Sequence, residues 1–181
     1  RGFVEMLGGK MRHLAWIAIS LAMLISSVVP GLAQSRVALV IGNSAYQGAP
    51  PLKTTSADAG LIASTLQAAG YDVTETDNVT GANMGAVIGA FRDKIAAAGP
   101  NAVAFFYFAG YGAQLNGDDY LVPVDAQVKT AADLPNQVLP LSAIITALGA
   151  VPATARIIVL DASRDGGFGK ASGQPVPPGL A

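Results

Sequence analysis

The stretch AVAFFYFAGYGAQ, residues 102–114, decides the fold. Its first nine residues are an apolar run without interruption, which predicts a strand buried on both faces inside a parallel sheet. Tyr111 then stands between two glycines, which predicts the end of the strand and a polar side chain at its tip. The segment ARIIVLDAS, residues 155–163, has the same form and places Ser163 at the end of another strand. Because open parallel sheets bind ligands at the carboxyl ends of their strands, Tyr111 and Ser163 are candidate site residues.

The overall composition is that of a globular protein. The chain has 181 residues, of which 51% are hydrophobic and 13% charged, and this balance excludes general disorder. The length fits one domain and a tail. A formal net charge of −1 gives no electrostatic signal for a nucleic-acid partner.

Residues 1–33 have the pattern of an export signal. Arg12 provides a basic start, residues 14–29 are apolar and uncharged, and small residues follow Pro30. This pattern predicts a cleaved signal peptide that begins at Met11, with the residues before Met11 as an extension. The protein is then exported to the periplasm or secreted. An uncleaved membrane anchor is the alternative, although the apolar run is short for a membrane span.

Loss of this leader would change the chemistry that remains. The chain has no cysteine, and its one histidine, His13, lies in the leader. Residues 34–181 therefore contain neither a thiol nor an imidazole. This excludes from them a zinc site built on Cys or His and a Cys–His or Ser–His nucleophile pair.

After residue 35 the patterns of strand and helix alternate, which predicts an α/β fold with a mainly parallel sheet, right-handed crossovers and helices on both faces. We expect the domain to span residues 34–168 and the Gly- and Pro-rich residues 169–181 to form a tail. Because no covering helix follows the fourth main strand, we also expect the chain to be part of a larger domain. The predicted strands are 36–43, 71–77, 102–110 and 155–163, the helices 58–69, 83–98 and 141–149, and the hairpin 114–125.

Motifs in order along the chain resemble those of the caspase-like cysteine peptidases, in particular the bacterial metacaspase or orthocaspase branch. The resemblance implies a three-layer caspase-like fold that is truncated after the fourth main strand. The matching segments are VALVIGNSAY (37–46) for the first strand, TTSADAGLIASTLQAAGYDV (54–73) for the first helix, FFYFAGYGAQ (105–114) and DDYLVPVDA (118–126) for the Gly-His-Gly motif and its continuation, and IIVLDASRD (157–165) for the Asp-Ala-Cys-Arg-Asp motif.

The resemblance also implies roles for individual residues. Tyr111 occupies the position of the catalytic histidine, and Ser163 that of the nucleophilic cysteine. Gly112 matches the glycine whose N–H helps to hold the oxyanion. Asp161, and with it Asp58, matches the acidic wall of a pocket that receives an Arg or Lys side chain.

The two substitutions predict a pseudopeptidase. A serine hydroxyl needs a base beside it to act as a nucleophile. An ordinary phenol, with a pKa near 10, is only ~0.1% ionised at pH 7 and is a poor base. Arg164 and Lys170 are the candidate cations that could make Tyr111 more acidic. Ala109 stands where many relatives have a serine in the pocket, so the preference for basic substrates carries over less firmly.

Other interpretations of these residues stay open. A residual endopeptidase that cuts after Arg or Lys, or a weak serine hydrolase, would use Ser163, and Lys170 or Lys53 could serve it as a base. The hydroxyls of Tyr111 and Ser163 could instead bond to each other or share a water molecule. Either residue alone could also be an ordinary one, Tyr111 a sheet-capping phenol with its hydroxyl in water and Ser163 a turn residue.

Ligand motifs are weak. A calcium ion on Asp118, Asp119 and Asp125 is possible, but their spacing does not fit an EF-hand and a solvated hairpin is favoured. GGFGKAS (166–172) does not complete a phosphate loop, because Arg164 stands where the first glycine should be and Ala171 where Ser or Thr is needed. The missing phosphate loop also disfavours a flavodoxin-like binder of small molecules.

The sequence thus predicts an exported, non-catalytic binding or scaffolding domain without a cofactor. Its expected partner is a protein or peptide with basic residues held near Asp161. We expect no nucleic-acid partner, and membrane contact only if the leader stays attached.

Overall fold

The structure is a computed structural model that describes residues 34–115, 117–128 and 133–163. Within these ranges, the structure does not describe the side chains of Leu115, Leu134 and Ser163. The expectations for the leader at 1–33, and for Arg164, Lys170 and the tail, lie outside the described residues.

The described part of the chain alternates strands and helices as expected. Its strands are β1 Arg36–Gly42, β2 Asp72–Asp77, β3 Val103–Leu115, β4 Asp118–Leu121, β5 Leu139–Pro140 and β6 Ala155–Ser163. Its helices are α1 Thr55–Ala68, α2 Gly81–Ala98, the single turn α3 Leu134–Gln137, and α4 Leu141–Gly149.

The main sheet is parallel, and β3 lies inside it. Its strand order is β2-β1-β3-β6, with β1 parallel to β2 and β3, and β3 parallel to β6. The smaller strands β4 and β5 extend the sheet by antiparallel pairing from the distal part of β3. The predicted mainly parallel α/β sheet is therefore confirmed.

Helices cover both faces of the sheet. On one face, α1 packs small side chains against β1 and β3, which brings the helix close to the strands. On the other face, α2 and α4 cover a larger apolar cluster. The apolar helix residues buried on the first face are Ala59, Ala63 and Leu66, and on the second Met84, Ile88, Phe91, Ile95, Ile144 and Leu148.

The expected end of β3 was wrong. The strand was predicted to stop at Gly110 but continues to Leu115. The reason is that β1 ends at Gly42, and β4 then pairs with the same edge of β3 from Gly112 onward. Strand β4 therefore supplies hydrogen-bond partners to the part of β3 that extends beyond β1. The predicted hairpin is confirmed, with Gly117 at a positive φ of 88° in its turn.

Strand β6 matches its predicted bounds and is an edge strand among the described residues. Its Ile158 and Leu160 pack against the core on the α2 side, whereas Ile157 and Val159 on the other face are 41% and 38% exposed. Within the described ranges, every helix is too short or too polar to cross a lipid bilayer.

Candidate functional site

The two predicted dyad positions lie side by side in the backbone. Strands β3 and β6 run parallel, and their register pairs Gly110 with Ala162 and Tyr111 with Ser163. Neighbouring strands are about 4.8 Å apart, so the backbones of the last pair are direct neighbours. The side chain of Ser163 is outside the description, so the hydrogen bond between the two hydroxyls stays a prediction.

Tyr111 is a buried residue with its hydroxyl engaged. It is only 3% exposed, and its hydroxyl donates a hydrogen bond to the carbonyl oxygen of Pro50 at 3.0 Å. Its ring meets that of Tyr46 edge to face, with centroids 4.7 Å apart. The phenol is thus part of a core beneath the loop that follows β1, and the reading of Tyr111 as a sheet cap with its hydroxyl in water is wrong.

The hydroxyl of Tyr46 bridges two backbone groups at the point where β4 replaces β1. It accepts the N–H of Tyr111 at 2.8 Å and donates to the carbonyl of Val122 at 3.1 Å. The side chain of Asn43, fully buried beside it, donates to the same carbonyl and accepts the N–H of Val79. Burial holds the pKa of Tyr46 well above its usual value, so this bridge stays protonated.

The glycine before Tyr111 has a geometric reason. A Cβ on Gly110 would lie 2.5 Å from the Tyr46 hydroxyl oxygen and 2.8 Å from the ring of Phe108, so only glycine fits there. The Tyr111 carbonyl accepts the N–H of Val122, which makes this a hydrogen-bonded pair. Successive residues of a strand direct their N–H and C=O groups to opposite edges, and those of Tyr111 point towards β4. The N–H and C=O groups of Gly112, the next residue, therefore point towards the β6 side of β3. The oxyanion role of Gly112 stays a prediction.

An acidic cluster lies on the α1 face of the same two strands. The hydroxyl of Tyr107 donates to Oδ2 of Asp161 at 3.2 Å, and Asp161 pairs in register with Ala109. Burial of Tyr107 and the negative charges of Asp161 and Asp58 raise its pKa to about 12. The structure therefore places the Tyr107 phenol, which the sequence analysis did not single out, in contact with Asp161 and within the electrostatic influence of Asp58.

Two of the three residues considered for calcium, Asp125 and Asp119, already accept hydrogen bonds within the protein. Asp125 Oδ1 accepts the N–H of Gly81 at the start of α2, and the Asp119 carboxylate accepts the side-chain amide of Gln114. Among the described residues, no group of three or more His, Cys, Asp or Glu side chains is arranged to hold a metal ion. Lys53 lies exposed in the loop before α1.

Two surface grooves lined by described residues are separate from the candidate site residues. One of about 480 Å³ lies at the start of α2, and one of about 300 Å³ lies between β2 and α2. Neither is lined by Tyr111, Asp161 or Asp58. We assign the site from chemistry, at the carboxyl ends of β3 and β6.

Sequence reasoning missed Tyr107, Tyr46 and Asn43. Tyr107 lies inside an apolar run and reads as core, but period-two alternation along a strand places it on the same face as Ala109 and Tyr111, and this signal was available. Tyr46 and Asn43 act through contacts with β3 and β4 that are distant in sequence, so no local pattern indicates them.

A mainly parallel sheet with helices on both faces places the chain in the α/β class, and the candidate site residues lie where the parallel pairing of β3 with β6 ends. The chain belongs to the caspase-domain family, because the family's sequence model matches residues 35–177. The crystal structure of protein GSU0716 from Geobacter sulfurreducens, one of 112 matching solved chains, is 21% identical, with a TM-score of 0.57. The match covers 73% of this chain and 52% of that one, so this chain spans about half of its length. At this identity the likeness concerns the fold alone. The comparison with curated proteins gave no match.

Proposed function

We propose that this protein is a non-catalytic caspase-fold module that binds a basic peptide segment in the cell envelope. The observation that supports it best is the state of Tyr111. At the position of the catalytic histidine stands a buried phenol that donates its proton to the Pro50 carbonyl. Ionisation would set a phenolate against that carbonyl oxygen, so the phenol is a hydrogen-bond donor and not a base for Ser163.

The negative charges of Asp58 and Asp161 support a basic ligand. Asp58 and Asp161 both act on Tyr107, and neither forms an ion pair within the described part of the chain. Two carboxylates without a cation at the end of a parallel sheet favour a positively charged side chain. An Arg or Lys of a partner protein has this chemistry and is long enough to reach the carboxylates from the surface.

A residual peptidase or serine hydrolase is the second candidate. It is favoured by the register, since Tyr111 and Ser163 remain neighbours and the peptide groups of Gly112 face β6. Purified protein should be offered fluorogenic peptides ending in Arg or Lys, with and without calcium. We expect release no faster than with Ser163→Ala. Turnover that this variant abolishes would overturn the pseudopeptidase proposal.

A gain-of-function variant tests whether the frame of the old site persists. Tyr111→His with Ser163→Cys restores the imidazole and thiol that the family uses. Cleavage after Arg by the double variant, absent in either single variant, would support a preserved frame.

Export is the remaining part of the proposal. Expressed with its leader in a bacterial host, the protein should be recovered from the periplasmic fraction or the medium. N-terminal sequencing of that material should begin at Gln34. A product that keeps residues 1–33 and sediments with membranes would support the uncleaved anchor instead.

A further inference from the structure

The hydroxyl of Tyr107 has a role that the proposed function leaves open. Its ring is 4% exposed, between β1 and α1, and belongs to the apolar cluster on that face. A phenylalanine would fill this space equally well, so packing accounts for the ring and not for the oxygen. The oxygen reaches Asp161 on the neighbouring strand and donates to its carboxylate at 3.2 Å.

Asp161 needs such a partner if its carboxylate is to keep one orientation. The residue is exposed and lies on β6, an edge strand of the described sheet. An exposed aspartate turns freely about its side-chain bonds, and ordering it on binding costs entropy. The Tyr107 hydroxyl fixes one carboxylate oxygen before any ligand arrives and leaves the other oxygen open.

The donor stays in place at physiological pH. Tyr107 lies near two negative charges, Asp161 and Asp58, and its pKa is raised to about 12. It is therefore protonated near pH 7, and its oxygen keeps lone pairs that can accept a hydrogen bond from a ligand.

The two basic side chains use such a carboxylate differently. The guanidinium of Arg is planar, and its paired N–H groups need a carboxylate in a matching plane. The ammonium of Lys is a compact charge with rotating donors, and it tolerates many carboxylate orientations. An oriented Asp161 thus favours Arg, whereas a freely turning one removes most of the difference.

We propose that Tyr107 is a positioning residue that orients the Asp161 carboxylate and thereby makes the site prefer arginine over lysine. This inference rests on the proposed function, because it assumes that Asp161 receives a basic side chain. It adds a residue that sets the specificity of that site.

Binding of two matched peptides tests the inference. The probes are dye-labelled Gly-Gly-Arg amide and Gly-Gly-Lys amide, titrated against the whole chain by fluorescence anisotropy. We expect the Arg peptide to bind more tightly. Tyr107→Phe should weaken the Arg peptide by roughly 3- to 10-fold, which corresponds to one newly disordered side chain, and leave the Lys peptide nearly unchanged. Tyr71→Phe, which removes a hydroxyl elsewhere on the same face, should leave both affinities unchanged.

Two variants of Asp161 separate failure of the inference from failure of the proposed function. Asp161→Asn should weaken both peptides by at least about tenfold, because the charge is lost. Asp161→Glu keeps the charge but moves it off the Tyr107 hydroxyl, so the Arg preference should fall while the Lys peptide still binds.

Each remaining outcome has a defined meaning. If the unmodified protein binds neither peptide, or if Asp161→Asn changes nothing, the basic-peptide site and the inference both fail. If Asp161→Asn abolishes binding but Tyr107→Phe leaves the Arg-to-Lys ratio unchanged, the site stands and the role of Tyr107 fails. Tighter Arg binding by Tyr107→Phe would mean that the hydroxyl competes with the ligand, and this also overturns the inference.

Discussion

Two tyrosines on β3 give the clearest comparison in this molecule. Tyr107 and Tyr111 lie on the same strand, about 13 Å apart by strand geometry. They are 4% and 3% exposed, so burial does not distinguish them. Their hydroxyls do, because Tyr107 donates to the carboxylate of Asp161 and Tyr111 to the backbone carbonyl of Pro50.

The difference shows two uses of a phenol on one strand. Tyr111 is part of the core, and its hydroxyl ties the loop after β1 to β3. Tyr107 is also a core side chain, but its hydroxyl reaches the carboxylate of the exposed residue Asp161. Variants of Tyr111 should therefore change mainly stability, and variants of Tyr107 mainly ligand binding and alkaline behaviour.

The largest effect should come from removing the ring of Tyr111. Tyr111→Ala leaves a cavity against Tyr46 in a buried aromatic pair, and we expect a loss of about 3–5 kcal/mol in the free energy of unfolding. Urea denaturation followed by circular dichroism measures it. Leu61→Ala, at a 67% exposed position of α1, is the matched control and should change stability by less than about 0.5 kcal/mol. Equal losses in the two variants would contradict the buried position of Tyr111.

A smaller effect should separate two hydroxyls of the same core. Tyr46→Phe leaves the buried N–H of Tyr111 without its acceptor, which should cost about 1–3 kcal/mol. Tyr111→Phe removes the donor to the carbonyl of Pro50, an exposed residue that water can reach, and should cost about 1 kcal/mol. The same urea titration compares the two variants, with Tyr71→Phe as control. A larger loss from Tyr111→Phe would show that its hydroxyl, and not that of Tyr46, holds this junction.

The last effect appears only at alkaline pH. The pKa of Tyr107 is raised from 10.0 to about 12 in the folded protein, so folding favours the protonated phenol. Its contribution to stability is complete below pH 10 and is lost as the pH rises through 12. Between these values the unmodified protein should lose more stability than Tyr107→Phe does, as measured by urea denaturation at intervals of pH. Parallel curves for the two proteins would contradict the raised pKa.

The sequence predicted the elements better than the contacts between them. Apolar periodicity located β1, the long helices and β6, since each of these buries one face or both. It ended β3 at Gly110, because glycines after an apolar run usually mark a turn. Here they make room for the Tyr46 hydroxyl, a contact across 64 positions that local patterns do not record. The short elements α3 and β5 were missed because they have too few residues to show a period.

The candidate site was predictable only in outline. Family resemblance selected Tyr111, Ser163, Gly112, Asp161 and Asp58 as the site. It did not indicate that the Tyr111 hydroxyl would reach Pro50 or that a phenol from β3 would join the carboxylates. Both depend on side-chain directions that follow only from the packed sheet.

Strand β6 has one further consequence, for hydrogen exchange in deuterated water. Along an edge strand every second amide points at the neighbouring strand and the others point outward. In the described part of the chain β6 pairs with β3 alone, so its amide protons should fall into a slow and a fast set that alternate from Ala155 onward. Any chain that pairs with this edge should slow the exchange of the fast set. Exchange rates measured for each residue of β6 would therefore detect its binding.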